Sequence, residues 1–215
     1  MKKICIPNKK NLHITPSYGD CSGYYYTPAI SYFYLKRLRM MIDMVRNKGV
    51  SVLDAGCGCG IFFYELQKMF SKLYGMDLRK DIAAVKKCLK KDNIESNIVN
   101  GDIYKIPYKD SSFDCVVSMS VLEHIKDLEE PVREIKRVLK ENGSFICGFP
   151  VRNLLMHSFF KVIRFDDLED HPSSHRDILE MLKRNFYIEK TVTFPSFLKI
   201  DYSFYIVCRC IKNKG

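Results

Sequence analysis

Several things are missing from this sequence, and each absence narrows what it can be. No apolar run approaches the ~20 residues that a membrane-spanning helix needs. The first ten residues are basic and have no apolar core, so they do not read as a secretory leader. No C-x-x-C pair occurs, although there are nine cysteines. The two C-x-C pairs, Cys57/Cys59 and Cys208/Cys210, lack zinc-site spacing and have no nearby His, so no metal is expected at them. The cysteine count is odd, and several cysteines sit in apolar runs, where a free thiol acts as a small hydrophobe. That points to a reducing, cytoplasmic setting without structural disulfides. There is no internal repeat and no low-complexity tract.

The composition is that of a globular protein, with 47% hydrophobic and 28% charged residues. At 215 residues the chain has room for one full core and an added arm. The net charge of +10 is unevenly spread. Residues 1–50 carry nine Lys/Arg against two Asp/Glu, whereas residues 51–150 carry fifteen of each. Either the basic arm holds an anionic partner such as RNA, or it is a solvated face. The same arm is aromatic, with Tyr24, Tyr25, Tyr26, Tyr32, Phe33 and Tyr34 inside eleven residues.

Residues 1–27 show no clean periodicity. Apolar positions Ile30, Phe33, Tyr34, Leu38, Met41, Ile42 and Val45 then repeat at helical spacing, and Gly49 reads as the helix cap. From there strand and helix patterns alternate. Strands are expected at residues 50–55, 72–77, 97–102, 112–119 and 144–149. Helices are expected at residues 61–70, 80–91 and 131–141, the last capped by Asn142-Gly143. A further helix, residues 174–185, has Ser173 or Ser174 as its N-cap with Asp177 following. Two strand-like runs close the chain, residues 187–194 and 203–211. Their connection is too short for a helical crossover, so they form an antiparallel hairpin. The alternation predicts a parallel sheet covered on both faces.

The chemistry concentrates at Asp54-Ala55-Gly56-Cys57-Gly58-Cys59-Gly60. A β-branched run ends in a carboxylate, and glycines then allow positive φ and close backbone approach. Asp77 and Asp102 end the next two strands in the same way. Open parallel sheets bind ligands beyond the carboxyl ends of their strands, and an acid at the second strand suits ribose hydroxyls. A dinucleotide turn has the spacing G-x-G-x-x-G, which would place its third glycine at Ile61. Here the third glycine is Gly60, which disfavours pyrophosphate.

The motif resembles the (D/E)-x-G-x-G-x-G signature of class I S-adenosylmethionine-dependent methyltransferases of the type 11 kind. Four more segments are similar to that family in order: Gly75-Met76-Asp77; Asn100-Gly101-Asp102-Ile103 with Ile106-Pro107-Tyr108; Phe113-Asp114-Cys115-Val116-Val117-Ser118 with Val121-Leu122-Glu123-His124-Ile125; and Arg137-Val138-Leu139-Lys140-Glu141-Asn142-Gly143. In the last, Glu141-Asn142 replaces the family's Pro-Gly. The resemblance spans about residues 48–150. It implies a Rossmann-like, doubly wound, seven-stranded, mostly parallel sheet of order 3-2-1-4-5-7-6 with the last strand antiparallel. Residues 1–48 would be an N-terminal helical arm and residues 49–215 the catalytic domain.

The implied cofactor is S-adenosylmethionine, with S-adenosylhomocysteine as product. Its expected contacts are Asp54, Ala55, Gly56, Cys57, Gly58, Gly60, Asp77, Leu78, Asp102, Ile103 and Ser118. Asp77 would take the ribose, Asp102 the adenine amine, Ile103 and Leu78 the ring faces, and Asp54 the region of the amino group. His124 is the candidate base, the alternative being that Glu123 is solvated and His124 packs or caps. His171 and His175 are weaker candidates, and no metal is expected.

The fourth-strand segment lacks (D/N)-P-P-(Y/F) and has no Pro-Cys, which lowers amine targets on nucleic acids and cytosine C5 chemistry. A small-molecule acceptor, apolar or aromatic, is expected. An RNA acceptor and a non-catalytic S-adenosylmethionine-binding scaffold are the other readings. The apolar residues within 151–173 form either a substrate lid or ordinary core. The sequence does not set an oligomeric state.

Overall fold

The computed structural model describes residues 4–12, 21–28, 30–45, 49–153 and 171–213. Seven strands form one sheet: β1 (Gly49–Ala55), β2 (Phe70–Asp77), β3 (Asn97–Asn100), β4 (Phe113–Met119), β5 (Leu139–Pro150), β6 (Tyr187–Phe194) and β7 (Tyr205–Ile211). Their order is 3-2-1-4-5-7-6, as expected. Pairing is parallel from β3 to β5, and β7 runs antiparallel to both β5 and β6. Among the described residues, five α-helices accompany it: α1 (Ile30–Met44), α2 (Phe63–Leu66), α3 (Ile82–Lys91), α4 (Glu129–Val138) and α5 (His175–Asn185).

The strands are apolar on both faces because both are covered. Val52, Cys115, Val117, Ile146 and Val207 join one core with α1, α2 and α3. Their alternating neighbours Leu53, Val116, Phe145, Cys147, Ile206 and Cys208 join a second core with α4 and α5. The buried cysteines thus fill strand positions as small apolar side chains. Arg209, buried in β7, donates to the Met44 carbonyl at 3.0 Å and to Glu189 at 2.6 Å, which fixes the end of α1 over the hairpin. Ser174 caps α5 in a reciprocal box with Asp177, as the spacing predicts.

Three boundaries differ from expectation. Residues 61–70 form only the short α2, because Phe70 already belongs to β2 and pairs with Gly49. Gly49 is not a helix cap: it opens β1, where a Cβ would meet the Phe70 ring at 2.9 Å. Asn142-Gly143 does not cap α4, which ends at Val138. Leu139 is extended and pairs with Phe113, and the Asn-Gly pair exchanges backbone hydrogen bonds with Lys212. Of the candidate lid, residues 154–170 lie outside the described residues. Among the described residues, no helix is long and apolar enough to cross a membrane.

Candidate functional site

The site is built at the carboxyl ends of β1, β2 and β4. After Ala55 the chain turns at once: the Gly56 and Cys57 amides both donate to the Met76 carbonyl, at 2.8 and 3.0 Å. Gly56, Gly58 and Gly60 have φ of +85°, +50° and +79°, values that a side chain resists. Each glycine has a different neighbourhood. A Cβ at Gly56 would lie 2.2 Å from Val121 Cγ2, and one at Gly60 would lie 3.0 Å from Leu89. A Cβ at Gly58 would meet nothing within 4 Å among the described residues, so the backbone there is open to approach.

The turn is tied to the acid of the second strand. The Gly58 amide donates to Asp77 Oδ2 at 2.8 Å, and the Arg79 amide donates to Oδ1 at 3.0 Å. Both carboxylate oxygens are oriented and keep lone pairs for further donors. Asp54 is buried beneath the turn. Burial first, and the charge of Asp77 second, push its carboxyl up to about 8. Ala55, Cys57 and Gly60 are buried around it.

The β3 side is less closed. The Gly101 amide donates to the Asp77 carbonyl at 3.1 Å, which sets Asp102 beside the β2 tip. Asp102 is exposed and accepts from the Tyr104 amide at 3.0 Å. Leu78 is 67% exposed, whereas Ile103 packs into the core, so the two expected ring-face residues have opposite environments. The loop after Asp102 is braced from α4. The Ile106 amide donates to Glu134, and Arg137 donates to Glu134, Asp110 and the Ile106 and Tyr108 carbonyls. This gives the Arg137 motif a structural role.

The β4 end carries the expected Ser118 together with residues that sequence reasoning missed, Arg37, Ser120 and Tyr205. Ser118 is buried, and its Oγ has no hydrogen-bond partner among the described residues. Ser120 adopts φ +57°, a backbone state unusual outside glycine. It accepts from Arg37 at 2.6 Å and bonds Tyr205 Oη at 2.9 Å. Arg37 in turn lies over the Tyr34 and Tyr205 rings, at 4.6 and 4.7 Å. Tyr25 Oη reaches Met119 Sδ at 4.0 Å. The aromatic arm is thus seated beside the end of β4. No local pattern announces the contacts of the arm with β4 and β7, which join residues more than eighty positions apart.

Glu123 reverses the expectation of a solvated acid. It is 2% exposed, its Oε2 has no hydrogen-bond partner among the described residues, and burial above all pushes its carboxyl up to about 7. His124 is exposed, with its ring edge-on to buried His171 at 4.7 Å between centroids. Burial first and His124 second push His171 down to about 4. One ligand-type atom from each of Glu123, His124 and His171 lies within 4.8 Å of the other two. His175 stands apart in a contact with Asp201 at 3.0 Å.

Residues 53–147 match the family model for a methyltransferase domain. An uncharacterized protein of Methanocaldococcus jannaschii is 36% identical over 112 residues, 52% of this chain and 46% of that protein. A demethylmenaquinone methyltransferase of Staphylococcus aureus is 32% identical over 138 residues, 59% of this chain and 56% of that enzyme. The chain therefore spans about half the length of the curated relatives it matches. The solved structure of a SAM-dependent methyltransferase from Aquifex aeolicus shares the fold, with a TM-score of 0.63 at 16% identity over 82% of this chain and 89% of that one.

Proposed function

We propose, from the match of residues 53–147 to a methyltransferase-domain model, that the chain belongs to the class I family and transfers a methyl group from S-adenosylmethionine to a small-molecule acceptor. The observation that carries this reading is the open backbone at Gly58, inside a turn fixed everywhere else and tied to Asp77. The residues fit the cofactor: the turn leaves room for its amino-acid part, and Ser118, whose buried Oγ has no partner among the described residues, stands near the carboxyl end of β4, the strand beside β1. When bound, S-adenosylmethionine supplies a methyl group on a sulfonium sulfur, whose leaving group is a neutral thioether.

The protein's own task is therefore mainly to position two reactants, worth ~7–11 kcal/mol of barrier in favourable cases. Asp77 takes the ribose hydroxyls, Asp102 the adenine amine, and Asp54 the methionine ammonium. Residues 1–48 act as an arm of the catalytic domain, residues 49–215. The arm brings Tyr25, Tyr34 and Arg37 beside Met119 and Ser120, so it borders the acceptor. An apolar or aromatic acceptor suits that border, in line with the demethylmenaquinone enzyme among the relatives. A proton on the acceptor leaves through the cluster containing His124, the candidate base.

Stabilisation by ligand and transfer of label test the reading together. At a hundred times Kd, S-adenosylhomocysteine should add ~2.7 kcal/mol. That is a rise of about 5–11 °C in Tm for a chain of this size. Labelled methyl should pass to at least one member of a panel of phenols, quinols and enols. Stabilisation by NAD but not by S-adenosylhomocysteine would overturn the assignment. Binding without transfer to any acceptor would leave the scaffold reading.

Asp54 adds a pH signature. The free protein keeps its proton up to about pH 8. An ammonium can pair only with the carboxylate, so binding releases that proton. Affinity for S-adenosylhomocysteine should then rise about ninefold from pH 6 to pH 7, where the ammonium stays charged, and level off above pH 8. Calorimetry across this range should show it, and a flat profile would remove the Asp54–ammonium contact.

A further inference from the structure

A second set of ligand-type side chains lies beyond the glycine turn. Glu123 and His124 stand on the 3₁₀ turn Leu122–His124, just after β4. His171 arrives from the segment that leads into α5. The two segments are bolted together: the Ser173 amide donates to the Glu123 carbonyl at 3.3 Å, and Ser173 Oγ donates to the Ile125 carbonyl at 2.5 Å. Arg152 also holds the His171 carbonyl, at 3.2 Å. The three ligand atoms lie within 4.8 Å of one another.

The independent observation is the Glu123 carboxylate. It is 98% buried, and Oε2 has no hydrogen-bond partner among the described residues. Buried carboxylate oxygens are costly to leave unpaired, and native structures nearly always supply a donor or a cation. Ser120, itself bonded to Arg37 and Tyr205, hydrogen-bonds the Glu123 carboxyl group without satisfying Oε2. Two imidazoles, those of His124 and His171, each bring a ring nitrogen within 4.8 Å of a Glu123 carboxylate oxygen.

We propose that Glu123, His124 and His171 bind a divalent transition-metal ion, and that this ion holds an oxygen donor of the methyl acceptor. Two imidazoles and one carboxylate suit zinc, cobalt, iron or manganese. Three protein ligands leave coordination positions for a substrate oxygen. Bonds of ~2.0–2.2 Å bring neighbouring ligand atoms to roughly 3.3 Å, so the set closes by ~1.5 Å at most around an ion. His124 is exposed and can swing inward, while the buried Glu123 and His171 supply a fixed floor. The ion would also lower the pKa of a coordinated hydroxyl, which relieves His124 of acting as base. The link to the acceptor rests on the methyl-transfer reading; the binding of the ion does not.

The full chain, freed of metal with a chelator, is titrated with Co²⁺ and then with competing Zn²⁺. The expected result is a visible d–d absorption without a thiolate charge-transfer band, displaced by zinc. Since the loss of even an outer partner of a metal ligand costs ~10- to 100-fold in affinity, His124→Ala and Glu123→Gln should each weaken cobalt binding by at least about tenfold. Circular dichroism checks folding, and His124→Ala, at an exposed position, keeps the test valid if Glu123→Gln misfolds. No cobalt binding below ~1 mM would overturn the site, as would equal binding by the variants or a thiolate band. Stabilisation by S-adenosylhomocysteine is measured in parallel: its presence without cobalt binding overturns the metal site and leaves the methyl-transfer reading standing. If transfer to a hydroxylated acceptor is unchanged by the ion, the link to the acceptor falls.

Discussion

Replacing Asp77 with Ala should weaken binding of S-adenosylhomocysteine by about a hundredfold or more. The carboxylate is proposed to accept both ribose hydroxyls, and hydrogen bonds to a charged group contribute ~1.5–3 kcal/mol each. Two of them amount to ~3–6 kcal/mol, and each 1.4 kcal/mol is a factor of ten. The same side chain anchors the glycine turn through the Gly58 amide, so the loss has a second, structural part. Asp77→Asn separates them. Its amide oxygen can still accept from Gly58, while the charge and one acceptor are gone. Asn leaves the Arg79 amide without its acceptor but keeps the turn anchored, so it should melt closer to wild type than Ala does yet bind the ligand at least about tenfold more weakly than wild type. Calorimetric affinities beside melting curves of the free proteins provide the check. Wild-type affinity in Asp77→Ala would remove Asp77 from the site.

The second large contrast is between two glycines two residues apart. Both have positive φ, so an alanine at either carries a backbone cost of ~1–2 kcal/mol. At Gly56 the new methyl would also lie 2.2 Å from Val121, inside the contact that joins the turn to the end of β4. Gly56→Ala should fail to fold or should melt far below wild type. At Gly58 the methyl enters open space. Gly58→Ala should stay folded, melting lower by about 2–8 °C, and lose at least about tenfold in S-adenosylhomocysteine affinity because it occupies the ligand's place. Expression, melting temperature and affinity of the pair decide this. A folded Gly58→Ala with unchanged affinity would move the cofactor away from the turn.

The glycine turn was legible because everything in it is local. Positive φ needs glycine, a strand needs alternating apolar residues, and the acid sits at the strand end, all within seven positions. Strand order was legible through the resemblance, and the short link between β6 and β7 independently called for a hairpin. What escaped depends on partners far along the chain. Residues 61–70 keep a helical apolar pattern, yet Phe70 is claimed by Gly49 across the sheet. Asn142-Gly143 has the composition of a helix cap, but Lys212 supplies the hydrogen bonds that place it in the sheet. Glu123 looked like an exposed acid on a polar turn. Its burial follows from how Ser173 and His171 close over it, nearly fifty residues later. The Arg37–Ser120–Tyr205 contact joins three separate elements and leaves no mark in any one of them.

The place of β7 has a consequence for how the chain is made. It is the last strand in the sequence, yet it lies between β5 and β6, paired along its length with both. A ribosome therefore delivers an interior strand after its two neighbours. Until residues 205–211 emerge, the long β5 presents an unpaired apolar edge, and β6 has no partner at all. Open edges of that kind recruit other chains. The nascent protein is exposed to mispairing from the emergence of β5 until that of β7, and arrival of Cys208, Arg209 and Cys210 closes that window.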